Sequence, residues 1–313
     1  MKKVLYFAAL FSVVLFGFSC TKPGGDRTDT PSGDGNGDEN KETEKVVAQT
    51  AKDNLVLWVS FDEDKLVEVG EGVTLGENKG EAGFEKGFIG KAWTNKGGDN
   101  TKEAYTKLAL AAGNALTKMD SYTFTCWAKL PKDKEAKSGI ISFNGTAAEA
   151  QWPSFIFIFD NISDITPEEG EPYKALQFNG RIDFLSVEGK PAMWPNCASD
   201  VYMKKNEWFQ IARNYDATTG HWANYANGQL VNEGDFLPGD AVAGSVSAAF
   251  AADCDALYIG GWASRIEGKA NDAWMAYCPG SLDELRFYNK ALSAEEILAL
   301  YKEEVNINLD QDE

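Results

Sequence analysis

The chain has 313 residues, and 48 acidic against 30 basic side chains give it a formal net charge of −18 at pH 7. A surface this acidic repels nucleic acid and anionic headgroups, so we expect no nucleic-acid partner. The single histidine, His221, excludes a multi-histidine zinc site and leaves one possible base for Ser–His–Asp or Cys–His catalysis. Because His221 follows a Thr-Thr-Gly turn, we expect a solvated turn residue.

Residues 1–19 have the pattern of a signal peptide. Lys2 and Lys3 precede an apolar run over 4–18, which is too short to span a bilayer and is typical of a secretory signal. The run ends in Gly-Phe-Ser-Cys, which resembles the lipobox of bacterial lipoproteins and implies cleavage before a lipidated Cys20. We expect a cell-envelope protein at the outer membrane, touching the membrane through this lipid alone. A secreted protein with a free Cys20 is the alternative.

The segment after Cys20 predicts a tether. Residues 21–45 hold no large apolar side chain and are dominated by Gly, Asp, Thr, Pro and Glu, so nothing offsets the entropy of ordering them. We predict a flexible tether over 20–45, one globular domain over 46–304 and a disordered tail over 305–313.

From residue 54 onward the pattern is that of β-strands. Short segments alternate polar with apolar residues and are separated by Gly, Asn and Asp. The predicted strands are 54–61, 121–130, 139–143, 154–159, 175–178, 181–187, 207–215, 221–225, 229–231, 257–261 and 281–288. Asn227-Gly228 is a strong hairpin signal, because both central residues of a type I′ turn need positive φ. This many strands without interleaved helices predict an all-β fold, a two-sheet antiparallel jelly-roll sandwich.

One short C-terminal helix is predicted. Ser293 and Glu296 form a capping box, and Ile297, Leu300 and Tyr301 then give an apolar stripe at helical spacing. We expect this helix to cover the sandwich near its last strand.

Three stretches carry a family resemblance. They are the strand over 121–129, the double strand over 207–231 with Trp208, Trp222 and Asn227-Gly228, and the ending over 257–261 and 280–293. Segments 55–62 and 87–93 fit as well. Together they resemble the laminin G-like, concanavalin A-like lectin/glucanase superfamily of jelly-roll sandwiches, over roughly residues 54–302.

The resemblance leaves the activity open, because that superfamily contains both binding modules and glycosidases. Its endoglucanases carry catalytic carboxylates as Glu-x-Asp-x-x-Glu on one strand, a spacing absent from this sequence. Asp160, Asp164, Glu168 and Glu169 are close in sequence, but we expect them in a solvated acidic loop. We therefore predict that the protein is not an enzyme.

Asp283 is a candidate metal ligand. In strand alternation it shares a face with Leu285 and Phe287, and a carboxylate facing a core must be hydrogen-bonded or metal-bound. Related sandwiches often hold a structural calcium there, which the resemblance extends to this chain, with Asp62 as a possible second ligand. The alternative is an Asp283 satisfied by backbone amides.

The tryptophans suggest where a ligand binds. Those expected to pack within strands are Trp58, Trp93, Trp127, Trp208 and Trp222. Those in expected loops, where binding sites tend to lie, are Trp152, Trp194, Trp262 and Trp274. The segment 262–279 also holds Arg265 and Tyr277, which pair planar hydrogen-bonding groups with aromatic faces. We predict that it forms one wall of a glycan site, although each loop tryptophan can instead be packing.

The leading hypothesis is therefore a non-catalytic carbohydrate-binding lipoprotein of the cell envelope. A protein–protein adhesin or assembly factor is the alternative, and it would show a flat exposed apolar patch instead of an aromatic and amide-lined site. A glycoside hydrolase of the same fold ranks third.

Overall fold

A computed structural model describes residues 48–62, 67–131, 138–144, 155–165, 173–182, 184–185, 191–192, 199–201, 206–237, 254–270 and 275–311. The strands are, in chain order, β1 (Leu55–Val59), β2 (Val67–Val69), β3 (Val73–Gly80), β4 (Ala82–Lys86), β5 (Lys91–Asn95), β6 (Ala104–Leu110), β7 (Tyr122–Lys129), β8 (Ser138–Phe143), β9 (Phe155–Ile165) and β10 (Tyr173–Ile182). They continue with β11 (Phe184–Leu185), β12 (Pro191–Ala192), β13 (Ser199–Val201), β14 (Phe209–Asp216), β15 (His221–Ala226), β16 (Gln229–Asp235), β17 (Ala256–Ile259), β18 (Ala276–Tyr277) and β19 (Ser281–Tyr288). The α-helices are α1 (Ala263–Ile266) and α2 (Ala294–Gln311).

Two sheets make up the sandwich in the described part of the chain. Sheet 1 has the order β16-β15-β14-β7-β19-β1-β2, with β5 also paired to β19 and β4 to β5. Sheet 2 has the order β13-β10-β9-β8-β17-β6-β3, with β18 added beside β8. The pairing is antiparallel except between β18 and β8, which run parallel. The predicted all-β jelly-roll sandwich is confirmed.

The core lies between the two sheets and is rich in aromatic rings. Phe124 of sheet 1 packs against Phe157 of sheet 2 with ring centroids 5.2 Å apart. Phe287 of sheet 1 meets Phe155 of sheet 2 edge to face at 5.7 Å. The alternation of the strands places these side chains inward, which is the interdigitated packing expected of two facing sheets.

Helix α2 covers the outer face of sheet 1. The capping box is confirmed: the Ser293 amide donates to Glu296 Oε2 at 2.8 Å, and the Glu296 amide donates to Ser293 Oγ at 3.2 Å. Ile297 and Leu300 are buried against the outer face of the sheet. Strand β7 is therefore buried on both sides.

The predicted disordered tail over 305–313 needs correction, because α2 continues to Gln311. Ile307 is 8 % exposed, and the Asn308 side chain donates to the Phe88 carbonyl. These contacts with the body of the domain hold the last helical turns, and a reading of local sequence could not supply them.

A charged side chain fixes α2 to sheet 1. Glu304 is 1 % exposed and pairs with Arg286, which also pairs with Glu284. Glu304 Oε2 also accepts Trp127 Nε1 and Gln210 Nε2, each at 2.6 Å. We call Glu284, Arg286 and Glu304 the buried ionic group.

The neighbouring Glu303 holds the chain where it enters the domain. Its Oε2 accepts the backbone amides of Gln49 and Thr50 at 2.8 and 3.0 Å, and its Oε1 accepts the Thr50 hydroxyl at 2.9 Å. The segment before β1 is thus bound to α2.

The segment that contains α1 covers the outer face of sheet 2. The Ser142 hydroxyl donates to the Gly261 carbonyl and accepts the Ala263 amide, both at 2.8 Å. Ile156 and Ile158 of β9 are buried beneath this segment. The second face of sheet 2 therefore also has an apolar cover.

Candidate functional site

Trp262, a predicted wall of the ligand site, is a packing residue in the structure. It precedes α1, is 2 % exposed, and lies among Ile156, Ile158 and Met275. Its ring therefore offers no face to a ligand, which corrects its predicted role. Its large apolar surface is buried because β9 presents two isoleucines on the outer face of sheet 2.

Several other predicted site residues lie outside the described residues. They are Trp152, Trp194, Trp274 and Cys20.

The structure brings Arg265 and Tyr277 together. The Arg265 guanidinium carbon lies 5.0 Å from the centroid of the Tyr277 ring, a cation–π distance. Tyr105 of β6 stacks with Tyr277: the two ring planes are nearly parallel and the centroids lie 6.4 Å apart. Tyr258 of β17 meets Tyr105 edge to face at 5.8 Å. We call Tyr105, Tyr258, Tyr277 and Arg265 the tyrosine surface.

Exposure differs among the rings of the tyrosine surface. Tyr258 is 3 % and Tyr277 7 % exposed, whereas Tyr105 is half-buried. The two buried rings therefore form a rigid base, and Tyr105 is the ring within reach of a ligand.

Charged side chains border these rings. Glu267 Oε1 accepts the Tyr258 hydroxyl at 3.0 Å and is itself ion-paired to Lys269 through its other oxygen. Lys107 Nζ lies 5.8 Å from the Tyr258 centroid. Burial, reinforced by the charge of Glu267, raises the pKa of Tyr258. Burial also raises the pKa of Tyr277, although Arg265 acts in the opposite direction. Both phenols therefore keep their protons at neutral pH.

Sequence reasoning missed Tyr105. Along β6, Ala104, Thr106 and Leu108 are buried while Tyr105 and Lys107 between them are half-buried. This is strand alternation with Tyr105 on the outer face, and a strand reading of 104–110 would have found it. The sequence predicted no strand there.

Asp283 does not point into the core, which corrects the prediction made from strand alternation. Glu284 has φ 49°, and the pairing with β7 is irregular between Asp283 and Arg286. This bulge puts both Leu282 and Leu285 in the core, so alternation fails across it. Asp283 lies opposite Trp127, on the face that α2 covers.

Backbone amides satisfy Asp283. Its Oδ2 accepts the Ile89 amide at 2.9 Å and its Oδ1 accepts the Glu284 amide at 2.8 Å. Burial, followed by the charge of Glu284, raises the pKa of Asp283 well above its usual range, against the effect of these two amides. This arrangement matches the alternative interpretation of Asp283.

The described side chains do not by themselves form a calcium shell. Asp62 Oδ1 accepts the Lys91 amide at 2.9 Å, and calcium takes about six to eight oxygen ligands. Among the residues placed in the structure, no three His, Cys, Asp or Glu side chains are grouped as metal ligands. Calcium at Asp283 and Asp62 stays a prediction.

The acidic residues considered for catalysis are placed differently from expectation. Asp160 and Asp164 belong to β9, not to a loop, because β9 continues to Ile165 in pairing with β10. Glu168 and Glu169 lie outside the described residues. His221 opens β15 after the turn, and its Nδ1 lies 2.9 Å from Asp235 Oδ1.

A match to a family model shows which superfamily the chain belongs to. The model described as "Concanavalin A-like lectin/glucanases superfamily" matches residues 100–298. The chain belongs to this superfamily. The match spans β6 to the first turn of α2, so it includes strands of both sheets and the whole tyrosine surface of this concanavalin A-like chain, while β1 to β5 precede it.

Several solved structures are similar to this concanavalin A-like chain. Domain 4 of AbnA, a GH43 extracellular arabinanase from Geobacillus stearothermophilus in complex with arabinotriose, is 18 % identical, with a TM-score of 0.45 over 79 % of this chain and 98 % of the domain. The binding domain of Botulinum neurotoxin DC in complex with rat synaptotagmin II is 10 % identical, with a TM-score of 0.46 over 81 % and 52 %. A SAP-like pentraxin from Limulus polyphemus is 16 % identical, with a TM-score of 0.36 over 57 % and 69 %. No curated protein matches the chain.

Within the described residues, no helix has the length and apolar character needed to cross a membrane.

Proposed function

We propose that this protein is a non-catalytic carbohydrate-binding lipoprotein of the cell envelope, anchored at the outer membrane through Cys20. The observation that carries the proposal is the tyrosine surface, where half-buried Tyr105 rests on two buried rings. A tyrosine face packs against the C–H groups of a sugar ring, and Arg265, Lys107 and Glu267 offer hydrogen bonds to its hydroxyls. Membership of the lectin/glucanase superfamily supports the same ligand class.

The surface chemistry favours this proposal over an adhesin. Large apolar side chains are exposed, in the part of the chain that the structure describes, at Leu75, Leu230 and Leu309. These residues belong to β3, β16 and α2 respectively. Isolated exposed leucines on different elements do not make the flat apolar patch that an adhesin of this fold would need.

A glycan array with the full-length protein in detergent tests the proposal. We expect a saccharide to bind, and Tyr105→Ala to weaken its binding by about 1–3 kcal/mol, the range for losing an aromatic anchor. Incubation with the bound saccharide should release no new reducing ends, because the proposed site is non-catalytic.

Tyr301→Ala is the matched control, since Tyr301 is also a half-buried tyrosine but stacks on Trp127 beneath α2. It should leave saccharide affinity unchanged. Equal loss in both variants, or binding of no saccharide on the array, would contradict the proposal.

A further inference from the structure

A cleft at one end of the sandwich is separate from the tyrosine surface. It has a volume of about 540 Å³ and lies where β4, β5, β7 and β19 begin or end. Its lining is divided about evenly between polar and apolar surface, and the polar side chains used below are Glu85, Asn95, Lys96, Lys129 and Ser281. We call it the end cleft.

Asn95 presents an unpaired acceptor in the end cleft. The residue is 4 % exposed, and its Nδ2 donates to the Cys278 carbonyl at 3.0 Å and to the Asp99 carbonyl at 3.3 Å. These two acceptors fix the amide orientation, because a flipped side chain would turn its oxygen toward them. The remaining atom, Oδ1, is buried and has no hydrogen-bond partner among the residues that the structure places. A buried acceptor in this state calls for a donor.

Gly97 lines the end cleft beside that acceptor. A Cβ built on Gly97 would lie 3.7 Å from Asn95 Oδ1 and 3.4 Å from the nearest other atom, Glu81 Cγ, which are ordinary contact distances. A Cβ would therefore fit at Gly97 without a clash, beside an oxygen of a residue that lines the same cleft. The turn itself does not need a glycine at this position: the Gly98 amide closes it onto the Asn95 carbonyl at 2.9 Å, and positive φ falls on Gly98.

The rest of the end cleft offers fixed donors and acceptors. Glu85 Oε1 accepts the Ser281 hydroxyl at 2.6 Å and pairs with Lys129 Nζ at 2.8 Å. Lys129 Nζ also lies 4.9 Å from the centroid of half-buried Trp208. Lys96 is exposed and has no ion pair within the described ranges. Acidic and basic side chains together with a hydroxyl group suit a ligand that carries many hydroxyl groups, because each of these can donate to or accept a hydrogen bond from it.

The end cleft and the tyrosine surface share one short segment. The Tyr277 amide donates to the Asn100 carbonyl at 2.9 Å. One residue further along, Cys278 accepts the Asn95 side chain, and Pro279 to Ser281 then line the cleft. At about 3.3–3.6 Å for each extended residue, Tyr277 and Gly280 are at most roughly 10 Å apart, a span that a short oligosaccharide can cover.

We infer that the end cleft is a second subsite of the same ligand site, so that the protein binds an oligosaccharide whose ring beyond the tyrosine surface donates a hydroxyl to Asn95 Oδ1. This inference rests on the proposed function, since the tyrosine surface supplies the first subsite. It adds to that proposal that the ligand is an oligosaccharide and that its second sugar ring presents a hydroxyl group to Asn95.

Gly97 provides the test, because a side chain there fills the space next to Oδ1. Full-length Gly97→Leu and the smaller Gly97→Ala are compared with wild type for binding of maltotetraose, cellotetraose and arabinotetraose, each beside its monosaccharide. We expect Gly97→Leu to weaken tetrasaccharide binding by about tenfold, the size of one lost hydrogen bond. Monosaccharide affinity should not change, whereas Tyr105→Ala should weaken both.

Lys102→Leu is the matched control, because it adds a leucine at an exposed position outside both regions. A melting curve checks that each variant is folded, and Gly97→Ala takes the place of Gly97→Leu if the larger side chain lowers the melting temperature. Tetrasaccharide binding that survives both substitutions at Gly97 but is lost in Tyr105→Ala would overturn the second subsite and leave the proposed function standing. Failure of wild type to bind any saccharide, among these sugars or on the glycan array, would overturn both.

Discussion

Removing the Glu304 carboxylate should strongly destabilise the domain. In Glu304→Ala, Arg286 keeps Glu284 as its partner but loses one of its two carboxylates. The Trp127 and Gln210 N–H groups lose the oxygen that accepts both at 2.6 Å. Breaking a buried pair from one side costs about 3–5 kcal/mol. The Trp127 and Gln210 donors contact the same carboxylate, so the free-energy cost of leaving them unpaired is part of this range and does not add to it.

Urea unfolding followed by tryptophan fluorescence measures this effect. Glu304→Gln keeps an acceptor for Trp127 and Gln210 while removing the charge, so it should lie between Glu304→Ala and wild type. Glu295→Ala is the matched control, because Glu295 is exposed on the same helix and should cost no more than about 0.3–1 kcal/mol. If Glu304→Ala were no more destabilised than Glu295→Ala, the buried ionic group would not be what holds α2 to the sheet.

Three further predictions concern the tether, a buried acid and a turn. Deletion of residues 1–45 should leave the melting temperature within about 2 °C of the full chain, because the boundary precedes the Glu303 contacts; a larger loss would place the boundary elsewhere. Because the pKa of Asp283 is raised in the folded state, its contribution to the free energy of unfolding is fully present below about pH 4, near the pKa of an unfolded aspartate. That contribution is lost as the pH rises through the folded-state pKa. The stability difference between wild type and Asp283→Asn should therefore change in urea titrations across that window, and a pH-independent difference would refute the shift. Gly228→Val should destabilise the domain by more than about 1 kcal/mol, because Gly228 has φ 72° and its Cβ would lie 3.0 Å from Tyr301 Cβ; an unchanged urea midpoint would contradict this.

Local sequence rules predicted the parts of the fold that depend on neighbours in sequence. The Asn227-Gly228 turn has positive φ at both residues, and the Ser293–Glu296 capping box forms as expected. Most of the predicted strands after residue 120 match strands of the structure to within a few residues. In these segments, alternation and turn chemistry agree with the tertiary contacts.

The rest depended on partners far apart in the chain. The strands β2 to β6 were not predicted, and the exposed β3, with Gly76 and Gly80, lacks the apolar alternation of a half-buried strand. The bulge at Glu284 reversed the expected direction of Asp283, and alternation carries no signal for a bulge at a non-glycine residue. Trp262 was predicted to line a ligand site because it follows a strand. Its packing partners Ile156 and Ile158 lie more than a hundred residues earlier, so the local sequence does not show them. Asn95 is a candidate ligand-binding residue because the ends of four strands surround it in the fold, which the sequence does not show.

The contacts of Glu303 with Gln49 and Thr50 have a mechanical consequence. A pull on the chain at residue 48 is shared between α2, through Glu303, and β1. Strand β1 lies inside sheet 1, between β19 and β2, so a force along it loads its hydrogen bonds together in shear, whereas an edge strand pulled sideways would unzip bond by bond. The tyrosine surface lies on the opposite sheet, and the force path from residue 48 to a bound ligand crosses the aromatic core. We therefore expect a pulled ligand to dissociate before the domain opens.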